Sequence, residues 1–354
     1  SFAAGVATFI SHVVTRLGRE VRDARELGSY RVGRLIGRGG MGEVYHATHR
    51  LLARPAAIKL ISPESLTERS PDRVRVTLER FRREAEAAAS LRSPHTIDLY
   101  DFGVSDDGIF YYVMELLEGM DLELLVERFG PVPPERAIPL LRQACEALAE
   151  ANEHGLIHRD IKPSNIHTCR MGMTVDFVKL LDFGLVKLQP GRERGEPVLT
   201  RADGAIPGTP AFMAPESVFG DPVPDHRADI YALGCVGYWL VTGPRVFEGP
   251  TVARVLLQHY EAAPVPPSRR TELDIPPLLD ALLLACLAKR PDDRPATAME
   301  LSRRLADCPV REPWTAARAA EWWDRHLPAG PGTGVAEHSE ESGSLRGSSI
   351  RPWA

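Results

Sequence analysis

Lysine is the scarce residue of this chain. Among 354 residues and 43 basic side chains only Lys59, Lys162, Lys179, Lys187 and Lys289 are lysine, and all the others are arginine. A lysine retained in such a chain marks a place where a compact ammonium serves better than a planar fork. Codon usage is the competing account, and context has to decide. Basic charge as a whole is also short, since 48 Asp and Glu leave a net charge of −5. That argues against a nucleic-acid partner, which would need a basic stripe to neutralise phosphates. The five cysteines, Cys145, Cys169, Cys235, Cys286 and Cys308, form no CxxC pair. Neither a zinc site nor a disulfide framework is indicated, and a reducing cytosol is the simplest compartment.

Long apolar runs are missing too, and none approaches the ~20 residues that span a bilayer. The nearest, Phe2 to Val14, is followed by Arg16, Arg19 and Arg22 without a cleavage site, which argues against a signal peptide. Val6, Phe9, Ile10, Val13, Leu17 and Val21 recur at helical spacing, as in an amphipathic helix. The chain starts at Ser1, and with an upstream segment the same residues would be the inner end of a membrane helix flanked by cytoplasmic arginines. Residues 1–29 are therefore read as an amphipathic or juxtamembrane helix.

What is present is globular. Apolar residues make up 44% and charged residues 26%, over a length that suits two domains or one two-lobed domain. Strands are expected over Tyr30–Ile36, Val44–Ala47, Ala56–Ile61, Ile97–Val104 and Ile109–Leu116, the last two turning at Asp106-Asp107-Gly108, and a helix over Asp72–Leu91. Helices then dominate: Pro134–His154, the apolar Ala228–Thr242, Leu278–Leu287 and Ala296–Leu305. A strand-rich part followed by a helix-rich part predicts an α+β chain with a cleft between two lobes. Pro313–Leu327, with Trp314, Trp322 and Trp323, reads as an accessory docking helix within 308–327. The Gly-, Ser-, Pro- and Glu-rich residues 328–354 read as a disordered tail carrying Ser339, Ser342, Ser344, Ser348 and Ser349.

Chemistry concentrates in four places. Gly37-Arg38-Gly39-Gly40-Met41-Gly42-Glu43-Val44 lets backbone N–H groups approach a phosphate chain, and its continuation as a strand fits a hairpin lid better than a dinucleotide fold. Lys59, flanked by Ile58 and Leu60, needs a counter-charge if it faces inward, and Glu84 is the candidate. His158-Arg159-Asp160-Ile161-Lys162-Pro163-Ser164-Asn165 is the most specific run. There Asp160 can accept a hydroxyl proton, Lys162 can neutralise a phosphoryl group, and Asn165 can hold a metal. Asp182, in Asp182-Phe183-Gly184, suits a Mg²⁺ that bridges phosphates. Gly208-Thr209-Pro210 to Ala214-Pro215-Glu216 follows, and Arg294 far downstream is a structural partner for Glu216.

In this order the motifs resemble those of the bacterial eukaryotic-like protein Ser/Thr kinases. The resemblance covers residues 30–307 and implies a two-lobed kinase fold, with a β-rich lobe over about 30–117 and a helical lobe over about 118–307. It implies ATP with Mg²⁺ (or Mn²⁺), held under Gly37, Gly39 and Gly42. Ile36, Val44 and Ala57 would supply apolar cover, Met114 the gatekeeper, and the Glu115 and Leu117 backbones the adenine contacts. Lys59 paired with Glu84 would hold the α- and β-phosphates. Asp160 would be the base, Asn165 and Asp182 the metal ligands, and Asp229 the brace of the catalytic loop. Lys162 and Thr209 point to Ser or Thr acceptors on proteins, the chain itself included. Arg159 implies control by an anion on the activation segment, from phosphorylated Thr200 or in part from Asp203. His167 departs from the family by standing where an apolar adenine floor is usual, and residues 168–178 read as a long polar turn. Relatives of this kind suggest self-association and a cytoplasmic domain tethered to a membrane.

Overall fold

A computed structural model describes residues 26–39, 42–61, 85–105, 109–183, 209–219 and 223–328. The N-terminal segment up to residue 25, most of the Asp72–Leu91 helix including Glu84, the turn at 106–108, residues 184–208 with Thr200 and Asp203, and the tail from 329 lie outside the described residues.

Six antiparallel strands make the first sheet: β1 (Glu26–Leu27), β2 (Tyr30–Gly39), β3 (Gly42–His49), β4 (Pro55–Ile61), β5 (Leu99–Val104) and β6 (Phe110–Glu115), in the order β1-β2-β3-β4-β6-β5. The pairing of Glu26 with Arg31 puts the start of the sheet inside the segment read as helical, a correction to the 1–29 boundary. Strand alternation splits β4 between two cores. Ala56 and Ile58 join Tyr45, Tyr111 and Val113 on one face, whereas Ala57 and Ile61 face the main core with Tyr112 and Met114. Lys59 shares this second parity and is buried. Gly42 closes the β2–β3 hairpin with φ +148°, and a Cβ there would sit 1.9 Å from the Leu60 carbonyl oxygen, so only glycine fits.

A second sheet of three antiparallel strands follows: β7 (Glu118–Asp121), β8 (Ile166–Met171) and β9 (Thr174–Leu180). Residues 168–178 are thus a β-hairpin turning at Gly172-Met173 and not a long polar turn. The polar pattern misleads because Thr168, Asp176 and Lys179 are all buried and all hydrogen-bonded inside the protein. Gly119 lets β7 lie against β8, since a Cβ would meet the Thr168 carbonyl oxygen at 2.1 Å.

Helices build the rest: α1 (Leu122–Phe129), α2 (Pro134–Glu153), α3 (Pro215–Phe219), α4 (Arg227–Thr242), α5 (Val252–Glu261), α6 (Pro277–Cys286), α7 (Ala298–Ala306) and α8 (Ala316–His326). Asp121 caps α1 by accepting from Leu124 N at 2.7 Å. Helix α4 is buried on every side, which explains why its sequence has no polar face. Among the described residues no helix is long and apolar enough to cross a membrane.

Candidate active site

Between the six-stranded sheet and the helices lies a cavity of about 310 Å³. Ile36, Gly37, Gly42, Val44 and Ala57 line it from the sheet, and Met114, Glu115 and Leu117 line it where β6 runs into β7. His167, Asp160, Lys162, Asn165 and Asp182 line it from the helical side, and Lys59 completes the wall. Residues spread over nearly 150 positions thus converge on one cleft. Gly39 pairs with Gly42 at the hairpin end, while Glu84 lies outside the described residues.

The loop carrying Asp160 is fixed from below by α4. Asp229 accepts from the backbone N–H groups of His158 and Arg159, each at 2.8 Å, where Arg159 adopts φ +62°. That left-handed conformation is costly for a non-glycine residue, and the two charge-assisted bonds hold it. Burial raises the Asp229 carboxyl from its ordinary value against the pull of His158 and Arg159. His158 bonds the Leu181 carbonyl at 2.8 Å and packs on Phe183, and its imidazole is lowered by burial. Asn165 Nδ2 donates to the Asp160 carbonyl at 2.8 Å and to Asp160 Oδ2 at 3.2 Å, and Lys162 Nζ stands 3.4 Å from the same oxygen. Three polar groups from one short loop therefore share one corner of the cavity.

Asp182, with φ +58°, sits opposite. Lys59 Nζ donates to its Oδ2 and the Tyr112 hydroxyl to its Oδ1. Burial works against ionisation, yet Lys59 and Tyr112 outweigh it and hold the carboxyl below its ordinary value. The Tyr112 hydroxyl is correspondingly raised well above its own ordinary value by burial and by Asp182. Tyr112 was not singled out by sequence, because an aromatic inside a hydrophobic strand reads as core. Burial lowers His167 against the attraction of Asp121 and Asp182, so a neutral imidazole lines the cavity.

At the β6 end, Glu115 is held on several sides. Its N–H donates to the Asp98 carbonyl at 3.0 Å, so any backbone bond from Glu115 to a ligand falls to its own carbonyl. Its carboxylate accepts from Asp98 N at 3.0 Å and from Lys179 Nζ at 2.6 Å. Lys179 also reaches the Thr96 carbonyl at 3.2 Å. Further down, Glu216 and Arg294 form a buried bidentate pair at 2.6 and 2.8 Å. The other guanidinium N–H groups go to the carbonyls of Ala288, Lys289 and Arg227. Thr209 lies just before the short 3₁₀ turn Pro210–Phe212.

Comparison with known proteins agrees with this arrangement. Residues 30–305 match the family model described as protein kinase domain. The chain is 39% identical over 277 residues to the serine/threonine-protein kinase pkn3 of Myxococcus xanthus, covering 78% of this chain and 49% of that one. It is also 39% identical over 279 residues to the serine/threonine-protein kinase PknB of Mycolicibacterium smegmatis, covering 78% and 42%. The chain thus spans less than half the length of these relatives. A crystal structure of a double mutant of the Mycobacterium tuberculosis PknI kinase domain superposes with a TM-score of 0.59 at 26% identity, covering 80% of this chain and 97% of that one. A Rad53 crystal structure, at 24% identity and TM-score 0.61 over 78% of this chain and 64% of that one, shares the fold alone. A glycine hairpin over a cleft, an HRD loop braced from a buried helix and an Asp182 facing Lys59 are therefore the parts of a known architecture: the chain belongs to the protein kinase family, with a serine/threonine kinase domain of the bacterial kind.

Proposed function

We propose that this chain transfers the γ-phosphate of ATP to Ser or Thr hydroxyls of protein substrates, itself among them, in bacterial signalling. The observation that carries this is the convergence of Lys59, Asp160, Asn165 and Asp182 on one cavity with a glycine hairpin above it. Asp160 takes the proton of the incoming hydroxyl, and Lys162 beside it offsets charge on the transferred group. Asn165 and Asp182 offer hard oxygen ligands, one of them anionic by virtue of its lowered carboxyl, and so fit Mg²⁺, with Mn²⁺ as a substitute. Asn165 and Asp182 would hold such an ion, which would supply positive charge against the phosphates.

Ile36, Val44, Ala57 and Met114 exclude water around the base, Glu115 and Leu117 offer backbone groups to it, and the His167 imidazole forms the floor. Lys59 exchanges Asp182 for the α- and β-phosphates, with Glu84 as its counter-ion. Gly37, Gly39 and Gly42 bring backbone N–H groups to the phosphates. Arg159 reads an anion on the activation segment, where Thr200 and Asp203 are the candidates, and Thr209 belongs to the substrate platform. Comparable transfer rates for Asp203→Ala and the parent would remove Asp203 from that role. Membrane tethering and self-association through segments beyond the kinase domain belong to the same proposal.

The test is transfer of labelled γ-phosphate with Mg²⁺ to a generic basic protein, by the parent and by Asp182→Asn. Label on Ser and Thr that disappears in the variant is expected. Intact ATP binding without any transfer would make the chain a scaffold instead.

A further inference from the structure

The family match ends at residue 305, but a well-formed helix lies beyond it. Helix α8 does not rest on an apolar patch alone. Its face closes over a buried ion pair, Arg136 of α2 with Asp176 of β9, joined by two bonds of 2.9 and 2.7 Å. Trp323 Nε1 donates to Asp176 Oδ1 at 2.7 Å, and Trp314 Nε1, from the segment leading into α8, donates to Oδ2 at 2.8 Å. Trp322 stacks on the Arg136 guanidinium at 3.8 Å. With α8 away, Asp176 would lose two of its donors and Arg136 an aromatic face, leaving a buried pair partly unsatisfied.

The elements gripped in this way are the ones that form the adenine end of the cavity. Thr168, next to His167 on β8, donates to Asp176 Oδ1 at 3.3 Å. Arg170 on the same strand reaches Glu118 of β7 and Asp324 of α8, each at 3.6 Å. On α1, Phe129 packs edge-on against Trp322 with centroids 4.9 Å apart, and Leu124, on the same short helix, lines the cavity.

We propose that α8 is a clamp on the nucleotide site: docked through Trp314, Trp322 and Trp323 on the Arg136–Asp176 pair, it fixes the β8–β9 hairpin and α1, and thereby sets nucleotide affinity. The three tryptophans and Asp176 are positioning residues, acting through His167 and Leu124. This rests on the ATP reading given above. Coupling is reciprocal, so whatever factor docking adds to ATP affinity, ATP adds to docking.

The experiment measures, on the full chain, the ATP Kd, KM and kcat and the melting temperature of the parent and of the Trp314→Phe/Trp323→Phe double variant, which keeps rings but loses both indole donors. The expected result is an ATP Kd and KM raised roughly tenfold with kcat within about twofold. A peptide of residues 310–328 added to a Trp322→Ala/Trp323→Ala variant should restore binding. A lowered melting temperature with unchanged Kd well below melting makes α8 a stabilising cap and overturns the clamp. Should both variants fail to fold, hydrogen exchange of residues 316–326 in the parent decides: ATP should slow it, and identical exchange with and without ATP overturns the clamp. A parent that binds no ATP at all sinks the kinase reading itself, a distinct result.

Discussion

Strand β9 has an aspartate in left-handed backbone near each end, and the two have opposite surroundings. Asp176, with φ +53°, is enclosed by Arg136, Trp314, Trp323 and Thr168, donors that all lie away from the cavity wall. Asp182, two residues past the other end with φ +58°, is held by Tyr112 and by Lys59, whose ammonium also faces the cavity. The same residue type in the same backbone conformation is enclosed away from the cavity in one place and borders it in the other. Burial follows the same division, with 8% of the Asp176 side chain exposed against 20% of Asp182. What separates them is whether a partner lines the cavity, as Lys59 does beside Asp182.

The sharpest way to break this comparison is to neutralise each in turn. Asp182→Asn should cut phosphoryl transfer by roughly 10³-fold, since a positioned charge at the phosphates is lost, while the melting temperature moves far less than for Asp176. Equal destabilisation by both changes would end the distinction. Asp176→Asn leaves a buried Arg136 without its counter-charge, which costs about 3–5 kcal/mol and lowers the melting temperature by roughly ten degrees, read by calorimetry.

Acid separates carboxylates from imidazoles. Burial, with Lys289 nearby, lowers His259 to about 3, and burial moves His158 and His167 the same way. His259 is neutral when folded, so its contribution is complete above the unfolded pKa of about 6.5 and falls as the unfolded chain takes up protons below it. Between pH 6.5 and 5 the loss for His259 is about 2 kcal/mol, measured as a falling urea midpoint, and His259→Asn should flatten that slope. Asp182 adds nothing in this window, because a lowered carboxyl gives up its stabilisation only below the ordinary carboxylate range. The smallest effect is expected for Tyr112→Phe, which keeps the packed ring and removes one donor to Asp182. Transfer should fall about three- to tenfold, with a higher metal concentration needed for half-maximal rate. A metal titration that overlays the parent's would show that Lys59 alone positions the carboxylate.

The run from His158 to Asn165 was legible because its chemistry is contiguous: Asp160, Lys162 and Asn165 fall within six residues, and Lys59 stands out as the one charge in an apolar strand. Of the long helices, α2 was legible from its periodicity and α4 from an unbroken apolar run. Helix α1 and the β8–β9 hairpin were not, one being short and the other polar at buried positions. The Asp176 cluster was beyond reach for a different reason. Arg136, Trp314 and Trp323 stand 40, 138 and 147 residues away, and no local pattern records a carboxylate with donors that remote. Tryptophans 314, 322 and 323 signalled a docking helix, but not what it docks on.

The scarcity of lysine has a practical outcome. Lys59, Lys162 and Lys179 expose only 10%, 24% and 4% of their side chains, and Lys289 donates to the His259 carbonyl at 2.8 Å. Of the five lysines only Lys187 lies outside the described residues. An amine-acylating footprint of this protein therefore has an almost silent background. A nucleotide-shaped acylating probe that tags Lys59, and is blocked by excess ATP, would report occupancy of the site directly in a cell extract, one labelled peptide at a time.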